Sequence, residues 1–433
     1  MKFTSISLGN FRGIQEMDVP INHQLTIFVG RNGVGKSTVL DAAAILLSWA
    51  VARAKSVNGA GRSIQELDIR NQSHHASLIA HFQTSNLVPF DWNLSKTRKG
   101  HIKSEVASDL SALTSFGRLI QQAITITDSQ TNIPLFAYYP VNRAVLDIPL
   151  RIRKSHTFEL LEAWDESLTS AANFRSFFEW FRNREDLENE NRLRHNDTIQ
   201  QASNDSFDPQ LQAVRQAIES IVTDFSNLSV RRNPLRMTVS KLDEEILIDQ
   251  LSDGEKCLIA LVGDIARRLA IANPKLGNPL EGEGVLLIDE IDLHLHPGWQ
   301  RNVVPRLLKT FPNCQFIVST HSPQVLGEVS ADHVRLLSRE DGKIIFTTPK
   351  QTLGLTSNEI LDELMYTDER PTVSQNLKVE SDLRRLFDLI DEGNFDKATE
   401  FMAELKNQYQ GDTPELVRAM SLLTMLAPSH GGQ

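Results

Sequence analysis

Four short clusters in this sequence carry side chains that could act on a phosphate ester. In Gly30-Arg31-Asn32-Gly33-Val34-Gly35-Lys36-Ser37, followed by Thr38, the glycines let backbone N–H groups turn inward around phosphate oxygens. Lys36 is spaced to reach the β- and γ-phosphates, and Ser37 to offer a hydroxyl to Mg2+. Val285-Leu286-Leu287-Ile288 is an apolar run ending in two carboxylates. Asp289 is expected to hold Mg2+, and Glu290 to orient or deprotonate an attacking water. Leu251-Ser252-Asp253-Gly254-Glu255-Lys256 starts 38 residues before Asp289 and reads as a helix capping box, Ser252 with Glu255. A Ser-led helix start beside a glycine is also a ligand that a γ-phosphate would accept. The last cluster, Ser319-Thr320-His321-Ser322, closes a second apolar run, with His321 32 residues after Asp289.

These clusters need strands and helices to hold them. LTIFV (25–29) reads as a buried strand running into the glycine loop, and a helix is expected from Ser37 to Lys55. ASLIAHFQ (76–83) and PLFAYYPV (134–141) are strand-like, and the basic run Lys96–Lys103 reads as a solvated loop or hairpin. From Glu159 to Glu219 the pattern is helical and charged, with an aromatic face in FRSFFEWFRNREDLENENR, and short β pieces follow at 226–248. Leu258, Val262, Ile265 and Leu269 then form one helical stripe, and VLLI (285–288) and FIVS (316–319) read as buried strands. From about Leu355 the chain is helical again, with Phe395, Ala398, Met402, Leu405 and Tyr409 at three-four spacing. There is no repeat of solenoid length and no long heptad run.

Composition narrows the class. A length of 433 residues suits about two to three domains, and 40% hydrophobic residues suffice for a sizeable core. Cys257 and Cys314 exclude a disulfide scaffold and a paired-cysteine zinc site. No 18-residue apolar run exists; the nearest, Ala42–Ala52, is short and ends in Arg53 and Lys55. The N-terminus lacks a signal-peptide core, so a soluble protein of the reducing cytoplasm is expected. The net charge of −10 is uneven: residues 351–433 hold 15 acidic and 7 basic side chains, the remainder 40 and 38. The acidity therefore marks the tail, a candidate docking surface for a basic partner.

With the four clusters in this order, the chain resembles the ABC-type ATPases, in the soluble branch holding SMC-like, RecF-like and OLD-family proteins. Leu8-Gly9-Asn10-Phe11-Arg12-Gly13-Ile14 is similar to the opening strand-turn of that branch, which places Arg12 at the nucleotide. Ile288-Asp289-Glu290-Ile291-Asp292-Leu293-His294-Leu295-His296-Pro297 resembles its Walker B motif and D-loop. The fold implied is α/β, an ABC-type (P-loop) ATPase head with mixed sheets, a helical insertion and a C-terminal helical bundle. The corresponding domains are a Walker A lobe (1–150), an insertion (151–225), a lobe with signature, Walker B and His switch (226–350), and an acidic helical region (351–433).

The resemblance implies two heads sandwiching two nucleotides. Ser252, Asp253, Gly254 and Glu255 would then contact the γ-phosphate held by another subunit's Lys36, with Asp292 coupling the sites and His321 sensing the γ-phosphate. No clear Q-loop glutamine stands out in the sequence; Gln83 and Asn142 compete for that place. His294 and His296 resemble a metal pair, but the D-loop assignment accounts for them.

The 213 residues between Ser37 and Leu251 are too many for a transporter head and too few for an SMC coiled coil. Residues 322–433 hold no D-x-D, so a built-in Toprim nuclease is not expected. Tyr139–Arg153, Phe177–Glu190 and Leu386–Ala398 are similar to PtuA-type ATPases of Septu and retron anti-phage systems. That similarity implies ATP and Mg2+ as cofactors, slow regulated hydrolysis, a homodimer or higher oligomer, and a separately encoded HNH nuclease docked on the tail or insertion. DNA or a retron nucleic acid is a further candidate ligand, and no membrane is expected. The competing readings are a RecF-like repair ATPase that binds DNA directly and a nucleotide-gated scaffold with negligible hydrolysis, which would have no need of Glu290. Candidate DNA contacts are Lys96, Arg98, Lys99, His101 and Lys103; Arg151, Arg153 and Lys154; and Arg231, Arg232 and Arg236.

Overall fold

A computed structural model describes residues 1–84, 88–102, 107–128, 130–141, 159–169, 174–196, 207–365, 375–409 and 414–426. The chain divides into two compact units, Met1–Met365 and Tyr366–Gln433.

The larger unit is built around a six-stranded sheet whose strands come from distant parts of the chain. Its order is β13 (Lys343–Thr347), β12 (Val334–Glu340), β3 (Leu25–Val29), β11 (Cys314–Ser319), β10 (Gly284–Ile288) and β6 (Leu135–Tyr139). All neighbours are parallel except the β12–β13 hairpin. Every residue of β3, β6, β10 and β11 is buried, which is why these strands read as unbroken apolar runs. The expected first and second lobes thus interleave: β3 and β6 pair into the same sheet as β10 to β13.

An antiparallel sheet, β2 (Ile14–Pro20), β1 (Lys2–Phe11), β4 (His75–Gln83) and β5 (Pro89–Thr97), forms a second layer. Here burial alternates along β4, as expected of a one-sided sheet. Helix α1 (Lys36–Lys55) contacts β4 and also β6, β10 and β11, and α2 (Ser111–Ile126) packs on it. By length and composition α1 could cross a membrane, but most of it is buried inside this core.

The charged helical stretch is α3 (Phe174–Asn196) and α4 (Pro209–Ile221), both packed on α5 (Asp253–Ala272). The aromatic face points inward: Phe174, Phe177, Phe178, Trp180 and Phe181 are buried. Gly263 of α5 makes room for the Phe177 ring, which a Cβ there would meet at 2.8 Å. Glu185 and Glu188 pair with Arg215, and Glu185 also with Arg232 of the small sheet β7 (Phe225–Arg232), β8 (Leu235–Lys241) and β9 (Glu244–Leu247). The insertion is therefore part of the main core.

Helices α6 (Pro297–Thr310), α7 (Pro323–Leu326) and α8 (Ser357–Ile360) complete the unit. Its boundary falls at Met365 rather than at 350, because Ile360 and Leu364 are buried in the large core. The second unit contains α9 (Gln375–Asp391), α10 (Phe395–Tyr409) and α11 (Pro414–Leu426). These helices share a small core that includes Leu386, Ile390, Ala398, Met402, Leu405 and Leu416.

Candidate nucleotide-binding site

Three parallel strands end at one edge and deliver three of the four clusters to it. The glycine loop follows β3, Asp289 follows β10, and His321 follows β11, which lies between them. Ligands bind at such carboxyl ends in open α/β sheets. Gly30, Gly33 and Gly35 all have positive φ (145°, 81° and 100°), so the loop needs residues without a Cβ. At Gly30 a Cβ would also lie 2.4 Å from the Leu337 carbonyl oxygen. Helix α1 starts at Gly35 with no side-chain cap, so its first turn presents N–H groups and the positive end of its dipole at the loop.

Lys36 is buried, its Nζ donating to the carbonyls of Gly30 (2.9 Å) and Arg31 (3.1 Å). Burial pushes its ammonium below the usual lysine range, and Asp289, Glu290 and Asp292 pull it back up. Ser37 is exposed beside it and Thr38 partly so.

Asp289 is buried and accepts from the Ser319 hydroxyl, while its own N–H is held by Tyr139 O at 2.9 Å. Ser319 Oγ also accepts from Glu290 N at 2.8 Å, fixing the backbone of Glu290 in a left-handed conformation (φ 48°). A non-glycine residue in that region is strained, as often occurs at working sites. Asp292 accepts from Thr320 Oγ1 (2.5 Å) and His321 N (3.4 Å), tying the D-loop to the His strand. His321 is partly buried; that burial, then Lys36, pushes its imidazole below the usual 6.5, against the pull of Asp292, Glu290 and Asp289. It is therefore neutral at pH 7 and able to donate one N–H.

The LSDGE segment caps α5 as its spacing suggests. Ser252 is the N-cap and the reciprocal bonds with Glu255 are both present. Ser252 and Asp253 are exposed, whereas Gly254 is pressed against the D-loop: a Cβ there would lie 2.4 Å from His294 O.

Arg12, at positive φ, bonds Asp68 (2.8 Å) and Asp41 (2.5 Å), and Arg62 also bonds Asp41 (2.8 Å). Burial opposes its charge, but Asp68 and Asp41 hold the guanidinium above its usual range. Asp41 lies on α1, the helix that follows the glycine loop, so Arg12 is tied to that helix. Gln83 pairs with Lys2, at the opposite end of β1 from Arg12, while Asn142 lies outside the described residues. His296 caps α6 through Nδ1, which accepts from Gly298 N, and His294 is an exposed residue at positive φ. Among the described residues no group of three His, Cys, Asp or Glu side chains could hold a metal alone.

Of the basic groups, Lys103, Arg151, Arg153 and Lys154 lie outside the described residues. Lys96 falls on β5 rather than in a loop, because β4 pairs with β5 as far as His75–Thr97. Arg98 donates to the Ile69 and Arg70 carbonyls, Arg231 pairs with Glu245, and Arg232 pairs with Glu185 and Asp186. Lys99, His101 and Arg236 are exposed.

The glycine loop, Walker B carboxylates and parallel sheet define a P-loop ATPase head. The chain belongs to the AAA ATPase domain family, which it matches over residues 1–326. It is 31% identical over 440 residues to the Retron Ec83 probable ATPase of Escherichia coli, covering 89% of this chain and 80% of that one. It is 32% identical over 417 residues to the Retron Vc95 probable ATPase of Vibrio cholerae serotype O1 biovar El Tor, covering 86% and 80%. The Septu protein PtuA of Bacillus mycoides (strain KBAB4) matches over 101 residues at 40% identity, 23% of this chain and 14% of that one. Among solved structures, the SMC head domain from Thermotoga maritima aligns with 81% of this chain and all of its own, at 14% identity and TM-score 0.43. The expected kinship with retron and Septu ATPases is thus borne out.

Proposed function

We propose that this chain binds and slowly hydrolyses ATP in the cytoplasm as the regulatory subunit of an anti-phage defence complex that controls a separately encoded HNH nuclease. The observation that carries the hydrolysis is the strained Glu290, held by Ser319 beside Asp289 at the end of the P-loop sheet. A nucleotide-gated scaffold without hydrolysis has no need of that carboxylate. The defence role is supported by the identity to the two retron probable ATPases over most of the chain.

In the reaction the loop N–H groups and Lys36 bind the β- and γ-phosphates, and Glu290 orients the attacking water and takes its proton. Neutral His321 donates to a γ-phosphate oxygen. The exposed Ser37 hydroxyl and the Asp289 carboxylate are hard oxygen donors that suit Mg2+ held chiefly by nucleotide phosphates and water. Mg2+ supplies charge neutralisation on the phosphates when bound.

Ser252 of a second copy, exposed at the start of α5, completes the site, with Gly254 seated on the D-loop beside it. Arg231 and Arg232 pair with carboxylates, while the exposed Lys99, His101 and Arg236 are the groups on which a RecF-like, DNA-binding reading would rest. Glu290→Gln should keep ATP bound and accumulate closed dimers, whereas wild-type hydrolysis by this variant would remove Glu290 from its role. Mixing Lys36→Ala with Ser252→Arg subunits should restore partial hydrolysis if sites are composite. Purification of the native operon should yield an HNH protein bound to this chain; a monomeric ATPase binding DNA ends alone would favour the repair reading.

A further inference from the structure

The signature segment presents an electrostatic problem. A helix start meant to receive a γ-phosphate carries two carboxylates, Asp253 and Glu255, in its first turn. Both suit the helix dipole, and both repel an incoming phosphate. Asp253 is largely exposed to solvent, where screening weakens its effect, and Lys256 lies 3.9 Å away. Glu255 is different. It is buried, and one of its oxygens accepts from both Ser252 N and Ser252 Oγ at 2.8 Å. It therefore sits directly behind the hydroxyl that the phosphate would meet.

A lysine from another element answers this charge. Lys241, the last residue of β8, places Nζ 2.6 Å from the other Glu255 oxygen, its ammonium 5.7 Å from the centre of the Phe225 ring. Burial pushes the Glu255 carboxyl up, but the bonds from Lys241 and Ser252 outweigh it, so the group is ionised. Without Lys241, that ionised carboxylate would face the phosphate uncompensated.

We propose that Lys241 is a positioning residue for the composite ATP site: by neutralising and orienting Glu255, it lets an acidic signature accept the γ-phosphate of a neighbouring subunit's nucleotide. This rests on the two-subunit reading of Ser252 and Gly254 given above. Lys241 acts through Glu255 and needs no contact with nucleotide itself.

The test uses the full chain carrying Glu290→Gln, with ATP and Mg2+, and follows self-association by sedimentation. Lys241→Met should weaken ATP-dependent association about tenfold, the effect of one unscreened charge at short range in a half-buried site. Binding of a fluorescent ATP analogue to dilute protein should not change, because that reports the Lys36 loop alone. Lys241→Arg should associate like the parent. Adding Glu255→Gln to Lys241→Met should restore association. Because Glu255→Gln would also relieve a fold defect caused by the unpaired carboxylate, the circular-dichroism spectrum and urea midpoint of Lys241→Met are read alongside; a folded single variant with weakened association assigns the loss to the ATP site. The proposal is overturned if Lys241→Met associates normally, or if the double variant is no better than the single, while Ser252→Arg abolishes association. If Ser252→Arg itself leaves ATP-dependent association intact, the composite site is wrong and the role of Lys241 falls with it.

Discussion

Gly254→Ala separates a helix-propensity effect from a packing effect, and the two have opposite signs. Gly254 has ordinary helical backbone and lies in the first turn of α5, so replacing it by Ala in isolation should stabilise by up to about 1 kcal/mol. Its Cβ, however, would lie 2.4 Å from the carbonyl oxygen of His294. That acceptor is backbone in the D-loop turn, where Leu295 N bonds Asp292 O at 3.0 Å, and it cannot swing aside as a side chain would. Overpacking of this kind costs about 1–3 kcal/mol, and a rigid neighbour puts the cost toward the upper end. The net expectation is a loss of about 1–2 kcal/mol, or a melting temperature lower by about 1–3 °C in a unit of this size. The turn that must yield carries Asp292, which holds Thr320 and His321, so ATP hydrolysis should fall as well. Circular-dichroism melting and steady-state phosphate release measure the two effects. Gly277→Ala, where a Cβ meets nothing within 4 Å, is the control and should be neutral in both. A Gly254→Ala protein that melts at or above wild type with unchanged turnover would refute the reasoning.

Removing Ser319 as Ser319→Ala deletes the bonds to Asp289 and to Glu290 N; turnover should fall about tenfold or more while ATP binding persists, seen by comparing phosphate release with equilibrium binding. Asp264→Ala leaves Arg267 and Arg268 buried without their shared carboxylate and should cost about 3–5 kcal/mol, read as a shift in the urea midpoint. The Glu255 carboxyl titrates below its ordinary 4.5 in the fold, so its contribution to stability is present above that value and lost as pH falls through the lower, folded one. Urea midpoints between pH 6 and 3 should therefore fall less steeply for Lys241→Met/Glu255→Gln than for wild type.

The parts of this protein that could be read from sequence are those whose physics is local. A glycine loop between a buried strand and a helix states its conformation in eight residues, and β3, β10 and β11 are unbroken apolar runs because both faces are covered. The capping box of α5 is equally local, spanning Ser252 to Glu255. What is not legible depends on distant pairs. Arg12 finds Asp68 56 residues away, and Arg62 and Arg12 meet on Asp41 only because the fold packs α1 against the sheet that contains β1 and β4. Lys241 is one lysine among many until β8 places it on Glu255. Helix α6 hides behind Pro305, which lies inside it and interrupts the helical signal. That β6 pairs with β10 could not be read from either strand, since a buried parallel strand carries no mark of its neighbour.

The signature and Walker B ends of the site are tied to one another by a buried polar chain. Asp264, three turns into α5 from Ser252, bonds Arg267 and Arg268 at 2.7 Å and accepts from Tyr139 Oη at 3.0 Å. Tyr139 in turn holds Asp289 N through its carbonyl, and Arg268 donates to the carbonyls of Ala163 and Asp165 in the first part of the insertion. Such a cluster is a poor choice for stability alone: two guanidinium groups and one carboxylate lose their hydration, and apolar side chains of similar volume commonly do as well. Arg267 Nε is buried with no hydrogen-bond partner among the described residues, which adds to the cost. What the cluster provides is register. Apolar packing tolerates small slips of a helix along a sheet, whereas a bidentate carboxylate bonded to a tyrosine on the neighbouring strand does not. A slip of one residue along α5 would move Ser252 by about 1.5 Å relative to Asp289, enough to misplace a phosphate ligand. Fixing α5 against β6 therefore sets the position of the signature relative to the Walker B strand, whichever subunit supplies the nucleotide that the signature meets.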